Sequence, residues 1–401
     1  MIDRTYYYLD KINRLKEVIS ELNLPRSVAI NDVTLREADQ IVSFSMKEKI
    51  EIAHALDSLG ISQIQVGIPG VSETDKKTVQ MLIKDKLKAK LEVVSFIYLP
   101  DWKRDVDACI ETGAHSINMF FPVSDDKLRA KGVTRQKAID ISIKAIEHAK
   151  AQGVHHVTYC PFPAVRMDGT VLKEIIDASA RAGADMILLT DTYGTASPAA
   201  MRYFVKGLTK SSTVPMGIHC HNDLGLALAN TLAAVEGGAE LVDASVSGLG
   251  DRTGNCCLDE VIIALAAFYD FDLGVRTEKL YPLAKLVERI SGIPMPFGKP
   301  LVGENCFVHR HDDDVKSSIE MPSSTVPIEP KLVGNKRQFI LGGEYTGPIT
   351  VKTKAKELGI DLSDEKTKEI LVLVRKNLQG RKAPLTDEEF LSIIKGSNAE
   401  G

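Results

Sequence analysis

From residue 28 onward, short runs of β-branched and apolar residues alternate with longer stretches in which apolar positions recur every three or four residues. That is the pattern of parallel strands joined by helices. Eight strand-like runs are present: Val28–Asp32, Gln63–Gly67, Val93–Tyr98, Ser116–Phe121, His155–Cys160, Met186–Thr190, Met216–His221 and Leu241–Ser245. Helices are predicted between them, including Met46–Leu59, Arg135–Gln152 and Leu224–Glu236. Gly60, Gly113, Gly153, Gly183 and Gly237 each stand where a helix C-cap takes a left-handed residue. Ser197 and Pro198 supply an N-cap and a first-turn proline for the helix after the sixth strand. Eight such units fit an α/β fold of the TIM (β/α)8 type, which takes about 250 residues. An open doubly wound sheet would bring a glycine-rich turn after its first strand, and the segment Asn31 to Glu37, NDVTLRE, is no such turn.

The flanks read differently. Residues 1–27 are expected to form one amphipathic helix through Tyr8, Ile12, Leu15, Val18, Ile19 and Leu22. The barrel is expected over 28–274. Beyond 275 the alternation stops, and 275–401 is predicted to be a linker and a mainly helical subdomain. It begins with a helix over Glu278–Ser291, runs through Pro294, Pro296 and Pro300, and ends in three helices, the last opened by a capping box from Thr386 to Glu389.

Composition narrows the function classes. A net charge of -4 over 401 residues argues against nucleic acid or anionic membrane as a partner and leaves small molecules. The first residues mix charged with apolar side chains and lack the apolar core of a signal peptide, so a cytoplasmic location is expected. The six cysteines form no CxxC pair and are expected to be reduced thiols.

Active sites of such barrels lie at the C-terminal ends of the strands, and three of those ends are rich in polar groups. The first runs from Asp32 to Gln40, the seventh ends in HCHND (His219 to Asp223), and the eighth leads into SGLGDRTGN (Ser247 to Asn255). His219 and His221 are two apart on a strand and therefore project to one face. Glu37 would add an anionic oxygen and Asn255 a neutral one, a mixed nitrogen and oxygen set that suits Zn, Mn, Mg or Co. Arg36 is either a fixed cation beside a metal-bound carbonyl or the partner of Asp32 in a salt bridge. Gly248, Gly250 and Gly254 make the last loop permissive enough for its backbone to approach a ligand closely.

These segments resemble a family of metal-dependent lyases and synthases. It includes 2-isopropylmalate, homocitrate and citramalate synthases and, more distantly, 3-hydroxy-3-methylglutaryl-CoA lyase. The matching stretches are HCHNDLGLALANTLAAVEGGAELVDASVSGLGDRTGN (His219 to Asn255), DVTLRE (Asp32 to Glu37), DTYGTASP (Asp191 to Pro198) and VGIPGVSETD (Val66 to Asp75). The resemblance covers about residues 28 to 310 and implies the barrel, the divalent metal, Arg36 as a catalytic residue and Thr192 near a substrate carboxylate. Gln40 and Arg166 stand as further substrate-binding candidates. It also implies an acyl-CoA cosubstrate, a 2-oxo acid acceptor, and a homodimer or higher homo-oligomer in which the segment after 275 reaches over a neighbour's barrel.

The sequence departs from the family where protons are handled. CPFPAVR (Cys160 to Arg166) puts Phe162 at the place of a glutamate, and HRHDDD puts Asp314 where a second histidine is usual. Val326 replaces a tyrosine, and Gln65 replaces a glutamate at the end of the second strand. His311 and Asp314 are the candidates to act as base or acid, while the run they sit in reads equally well as a solvated loop. Phe162 adds an apolar wall that favours a bulkier or less polar substrate than 2-oxoglutarate. A chain ending near residue 401 is expected to lack the large C-terminal regulatory domain of many isopropylmalate synthases. Three functions follow in order: a synthase joining an acyl-CoA to a 2-oxo acid, a lyase or aldolase on the same metal platform, and a non-catalytic metal-binding protein.

Overall fold

A computed structural model describes residues 6–399. Contacts divide the chain into two compact units, one spanning Lys11–Pro294 and the other Met295 onward together with residues 6–10.

The first unit is a closed eight-stranded parallel barrel in the order β1 to β8. Its strands are β1 (Ala29–Asp32), β2 (Gln63–Gly67), β3 (Lys90–Ser95), β4 (Ser116–Pro122), β5 (His156–Phe162), β6 (Met186–Asp191), β7 (Met216–Cys220) and β8 (Leu241–Ala244). Outward-facing Ile30, Ile64, Val93, Ile117, Val157, Ile187, Ile218 and Val242 are buried, and so are helix residues such as Ile52, Leu56, Val79, Ile146 and Ile175. Alternation then sends the intervening residues into the barrel. The register sets polar residues side by side there: Asn31 is opposite both Gln63 and Asp243, Gln65 opposite Glu92, and Glu92 opposite Ser116.

Strand three differs from expectation. It begins at Lys90, paired with Gln63, and ends at Ser95, so Phe96 to Tyr98 leave the sheet in a turn closed from Leu99 N–H to the Phe96 carbonyl at 3.0 Å. Those aromatic residues have strand propensity, but Pro100 follows closely and has no N–H to continue a ladder. The helix expected from Leu224 begins at Ala227, because Asn222 first closes a turn and then accepts the Ala227 N–H at 3.1 Å. Gly237 is right-handed, with φ of -84°; the left-handed residue there is Gly238, whose added Cβ would meet Asn23 Nδ2 at 2.7 Å.

Residues 6–27 do not form one helix. They contain a 3-10 turn at Lys11–Arg14 and a four-residue helix at Lys16–Ile19. Ile12, Leu15, Val18 and Ile19 are all exposed, so no packed apolar face offsets the cost of nucleating a longer helix. Tyr8 belongs to the second unit, donating its N–H to the Pro327 carbonyl and its hydroxyl to Glu329. The part of that expected helix over residues 1–5 lies outside the described residues. The expected boundary at 275 also shifts: helix Leu280–Ser291 buries Leu280, Leu283, Ala284 and Val287 within the barrel unit.

The second unit pairs two short parallel strands, β9 (Val308–His309) and β10 (Gln338–Phe339). Helices Pro348–Glu357, Asp364–Leu378 and Asp387–Ala399 share a core that includes Val351, Ala355, Ile370, Val374, Phe390 and Ile394. The Thr386 to Glu389 capping box is formed in both directions, at 2.8 and 3.2 Å. A further helix, Asp312–Glu320, starts in the run read as a possible loop, with Asp312, Asp313 and Asp314 in its first turn, where carboxylates complement the helix dipole. Among the described residues, no helix is long and apolar enough to cross a membrane.

Two loops of the barrel mouth are tied together by Lys49. Its ammonium is 1% exposed and bonds Asp39 at 2.8 Å, in the segment after β1, and Asp75 at 2.5 Å, in the helix after β2. Asp75 also accepts the Ile68 N–H at 2.8 Å. Removing the cation would strand a buried carboxylate, so Lys49→Ala should lose about 3 kcal/mol of unfolding free energy, read from a denaturant midpoint.

Candidate metal centre

Three elements deliver the candidate ligands. Asp32 accepts the Thr34 N–H and hydroxyl, both at 3.0 Å, and thereby starts a single helical turn Thr34–Glu37 directly after β1. The Thr34 hydroxyl oxygen accepts the Val246 N–H at 2.8 Å, which fastens this turn to the segment after β8. The turn carries Arg36 and Glu37, which are 8% and 1% exposed. Asp32 is therefore spent on the backbone, and the alternative of an Arg36–Asp32 salt bridge is not realised. Arg36 instead donates to Gln65 Oε1 at 2.6 Å and forms a close ion pair with Glu37 Oε1.

His219 faces the barrel interior from β7, and His221 lies just past that strand in a bridge with Asn255. The His219 Nδ1 meets Asp243 Oδ2 at 2.9 Å. If Nδ1 carries the proton, Nε2 presents its lone pair to the site. That Nε2 lies 3.2 Å from His221 Nε2 and 3.6 Å from Glu37 Oε1. One ligand atom each from Glu37, His219 and His221 falls within 4.8 Å of the others. Burial is the first cause holding both imidazoles down to about 3. Arg36 and Arg252 add to it at His219, while His219, Arg252 and Arg36 add to it at His221. Neutral imidazoles and an ionised carboxylate are the form a cation requires.

The donor set fits a metal on a second count. Both side-chain polar atoms of Asn255, the His221 Nδ1 and one terminal nitrogen of Arg36 are buried with no hydrogen-bond partner. Orphaned polar atoms are uncommon in protein interiors, and these four belong to the candidate ligand His221, to Asn255, which is bridged to it, and to Arg36, the ion-pair partner of Glu37. Asn255 is held by a loop that folds on itself: Gly254 has φ of +83°, and a Cβ there would stand 1.8 Å from the Gly248 carbonyl oxygen. The close approach at Gly254 is thus to the loop's own backbone, while Cβ atoms at Gly248 and Gly250 would meet Cys257 Sγ at 2.6 Å and Asn255 Oδ1 at 2.7 Å. Arg252, in left-handed conformation, bonds Asp223 at 2.8 and 2.9 Å and the Thr192 carbonyl at 2.7 Å.

Below the mouth lies a buried hydrogen-bonded chain that motif reading missed. Asn31 Nδ2 donates to Asp243 Oδ1 and to Glu92 Oε2, each at 2.9 Å. Glu92 also accepts from Gln65 at 2.6 Å, from Gln63 and Ser116 at 3.1 Å and from Thr158 at 3.4 Å. His219, Asp243, Asn31, Glu92, Gln65 and Arg36 are therefore linked without a break. Burial pushes Glu92 and Asp243 up to about 7, against the pull of the hydrogen bonds they accept. The available signal was a polar residue at an inward position of an otherwise apolar strand, as in QIQVG and LEVVS.

Of the remaining candidates, Gln40 donates to Glu37 Oε2 at 2.9 Å and so orients a candidate ligand. Thr192 follows β6 and meets Arg252 through its carbonyl. Arg166 is exposed, its guanidinium 4.0 Å over the ring of Tyr193. His311 and Asp314 belong to the second unit; both are about half exposed, with His311 Nδ1 3.9 Å from Asp314 Oδ2 and its ring 4.7 Å from that of Tyr345.

Known proteins share this arrangement of segments. Residues 27–287 match the family described as HMGL-like, and 301–382 match a domain described as homocitrate synthase post-HMGL domain-like. The homocitrate synthase AksA of Methanopyrus kandleri is 36% identical over 384 residues, 95% of each chain. The 2-isopropylmalate synthase of Methanocaldococcus jannaschii is 35% identical over 395 residues, covering 97% of this chain and 75% of that one. In fold, the HMG-CoA lyase of Bacillus subtilis superposes with a TM-score of 0.61 at 20% identity, over 68% of this chain and 96% of its own.

Two outcomes are expected at this centre. The His219→Ala, His221→Ala double variant should lose stoichiometric divalent metal while keeping its circular dichroism; metal analysis finding full occupancy would reject the assignment. Asp243→Ala should leave a folded protein whose affinity for Zn(II) or Mn(II) is about 10–100-fold weaker in a competition titration, because the orienting partner of His219 is gone.

Proposed function

The chain belongs to the HMGL-like family, and on that premise we propose that it is a metal-dependent enzyme condensing an acyl-CoA with a 2-oxo acid. The observation that carries the proposal is the pairing of a buried three-ligand cluster with a buried Arg36 that keeps one terminal nitrogen uncommitted. Relatives named homocitrate, 2-isopropylmalate and citramalate synthase, each about a third identical over most of the chain, support the choice of reaction.

In this reading Glu37, His219 and His221 hold the cation, with Asn255 as a neutral fourth ligand. A divalent ion there would act as a Lewis acid toward the carbonyl of the acceptor. Arg36 supplies a fixed positive charge where negative charge grows on the ketone oxygen, and its bonds to Gln65 and Glu37 keep it from swinging away. Gln40 holds the second oxygen of Glu37. Arg166 and Thr192 line the rim where the acceptor's carboxylate enters. In the net reaction the donor's α-carbon gives up a proton and bonds to the ketone carbon, the ketone oxygen gains a proton, and water then cleaves the thioester to leave free CoA thiol. His311 or Asp314 would handle a proton in this scheme.

A second reading keeps the same metal platform but runs carbon–carbon cleavage. It is favoured by Phe162, which has no proton to give or take where the family carries a glutamate. Thiol release from acetyl-CoA in the presence of a 2-oxo acid supports condensation, whereas metal-dependent release of pyruvate or acetyl-CoA from a 3-hydroxy acid or its thioester supports cleavage. We further propose a cytoplasmic homodimer or higher homo-oligomer, which light scattering would contradict by reporting a monomer at working concentration.

Arg36→Ala should reduce turnover by about 10²–10³ in protein that remains folded by circular dichroism, and Arg36→Lys should be impaired as well because it lacks the planar fork. Near-normal turnover of Arg36→Ala would make Arg36 a structural residue.

A further inference from the structure

Resting on the condensing reaction above, the side chain of the acceptor acid is the next question, and the barrel mouth answers it through an asymmetry. The metal side, built on β1, β7 and β8, is polar. The opposite side, built on β3, β4 and β5, is aromatic. Phe120 is four residues beyond Ser116 and Phe162 four beyond Thr158, and both of those hydroxyls reach Glu92 inside the barrel; strand alternation therefore turns both rings inward. Phe96, two residues after inward Val94, adds a third. Phe96 and Phe162 are partly buried and pack on an interior cluster of Val94, Phe120, Cys160, Leu188 and Leu241.

The rings form one continuous surface. Phe96 to Phe120 is 6.0 Å at 87°, Phe120 to Phe162 is 5.9 Å at 55°, and Tyr98 closes the outer side 5.4 Å from Phe96 and 6.2 Å from Phe162. Arg36 joins the two sides, its guanidinium carbon 5.5 Å from the Phe120 centroid. A 2-oxo acid held by its polar end at Arg36 and the metal ligands therefore has its substituent against these rings. Among the described residues the rings themselves bring no donor to a second carboxylate apart from the Tyr98 hydroxyl; Asn118, two residues before Phe120 on β4, has a buried amide without a partner, and away from Arg36 a cation is met at the outer edge, where exposed Lys131 sits 4.1 Å over the Tyr98 ring.

We propose that Phe96, Phe120 and Phe162 form the specificity pocket for the acceptor, and that the acceptor is a 2-oxo monocarboxylic acid with an aromatic side chain. An aryl group is favoured over an alkyl group of equal area because ring edges and faces at these tilts can pair with it. A dicarboxylic acid is disfavoured because its distal charge would lose water against apolar rings.

Isothermal titration of the metal-loaded protein, without CoA, tests the pocket apart from turnover. With 3-phenyl-2-oxopropanoate, 3-methyl-2-oxobutanoate and 2-oxoglutarate as probes, the aryl acid should bind tightest, by roughly 10-fold over the branched acid and on the order of 10²-fold over 2-oxoglutarate. Phe162→Ala and Phe96→Ala should each erase most of the aryl preference, and Phe162→Leu, which keeps an apolar side chain, guards against loss of fold. Equal affinities, or 2-oxoglutarate binding best and losing that advantage in Lys131→Ala, would overturn the inference. Thiol release with acetyl-CoA is measured in parallel. Aryl-selective binding without thiol release from any acyl-CoA tried would sustain the pocket and reject the condensing function, whereas condensation with 2-oxoglutarate as the best acceptor would do the reverse.

Discussion

The site depends on a carboxylate pair buried in the barrel interior. Asp243 and Glu92 are each 1% exposed, and neither has a cation in hydrogen-bond contact; Asn31 stands between them and donates one hydrogen of its amide to each. An unsatisfied buried carboxylate is costly, so every group that reaches the pair is fixed in place by the need to satisfy it. On one side the pair orients His219, and on the other it orients Gln65, which in turn holds Arg36. The candidate metal ligand His219 and the candidate catalytic cation Arg36 are thus two ends of one hydrogen-bonded chain. Replacing Gln65 by the glutamate usual in the family would set a third carboxylate against Glu92, so the amide and the Glu92 carboxylate make sense together.

That chain also explains why the mouth is divided. Positions on β1, β2, β3 and β8 that supply the polar links cannot also supply apolar packing. The barrel's remaining interior volume is filled by Val94, Phe120, Cys160, Leu188 and Leu241, from other positions on β3 and β8 and from β4, β5 and β6. Arg36 lies at the seam. Its guanidinium is committed to Gln65 and Glu37 and its carbon lies 5.5 Å from the Phe120 centroid, a combination of forked hydrogen bonding and ring contact that suits arginine better than lysine. Polar capture at one end of a ligand and apolar contact at the other follow from that one placement.

The loops are built to hold rather than to move. Asp32 and Thr34 bind the turn after β1 to the segment after β8, Lys49 binds the same region to the helix after β2, and Arg252 binds the loop after β8 to those after β6 and β7. Candidate ligand atoms from the ends of β1 and β7 therefore meet with little freedom that binding a cation would cost.

Much of this was legible in the chain itself. Alternating short apolar runs and amphipathic stretches determine eight β/α units, since burial has only two periods to choose from, and the pair His219 and His221 at strand spacing determines that two imidazoles share a face. The DVTLRE and HCHND segments carried the candidate ligands for the same local reason. Tertiary structure decided what local pattern cannot express. Barrel closure and register placed Asn31 opposite Asp243, and Gln65 opposite Glu92, turning four polar residues, of which only Gln65 stood out in the sequence, into the support of the site. Strand three ended at Ser95 and not at Tyr98, because a turn and inward packing outweighed aromatic strand propensity, and the N-terminal apolar positions failed to make one helix because nothing covered them. Which side of the mouth is polar and which aromatic is likewise a matter of strands distant in sequence becoming neighbours, and no spacing along the chain encodes it.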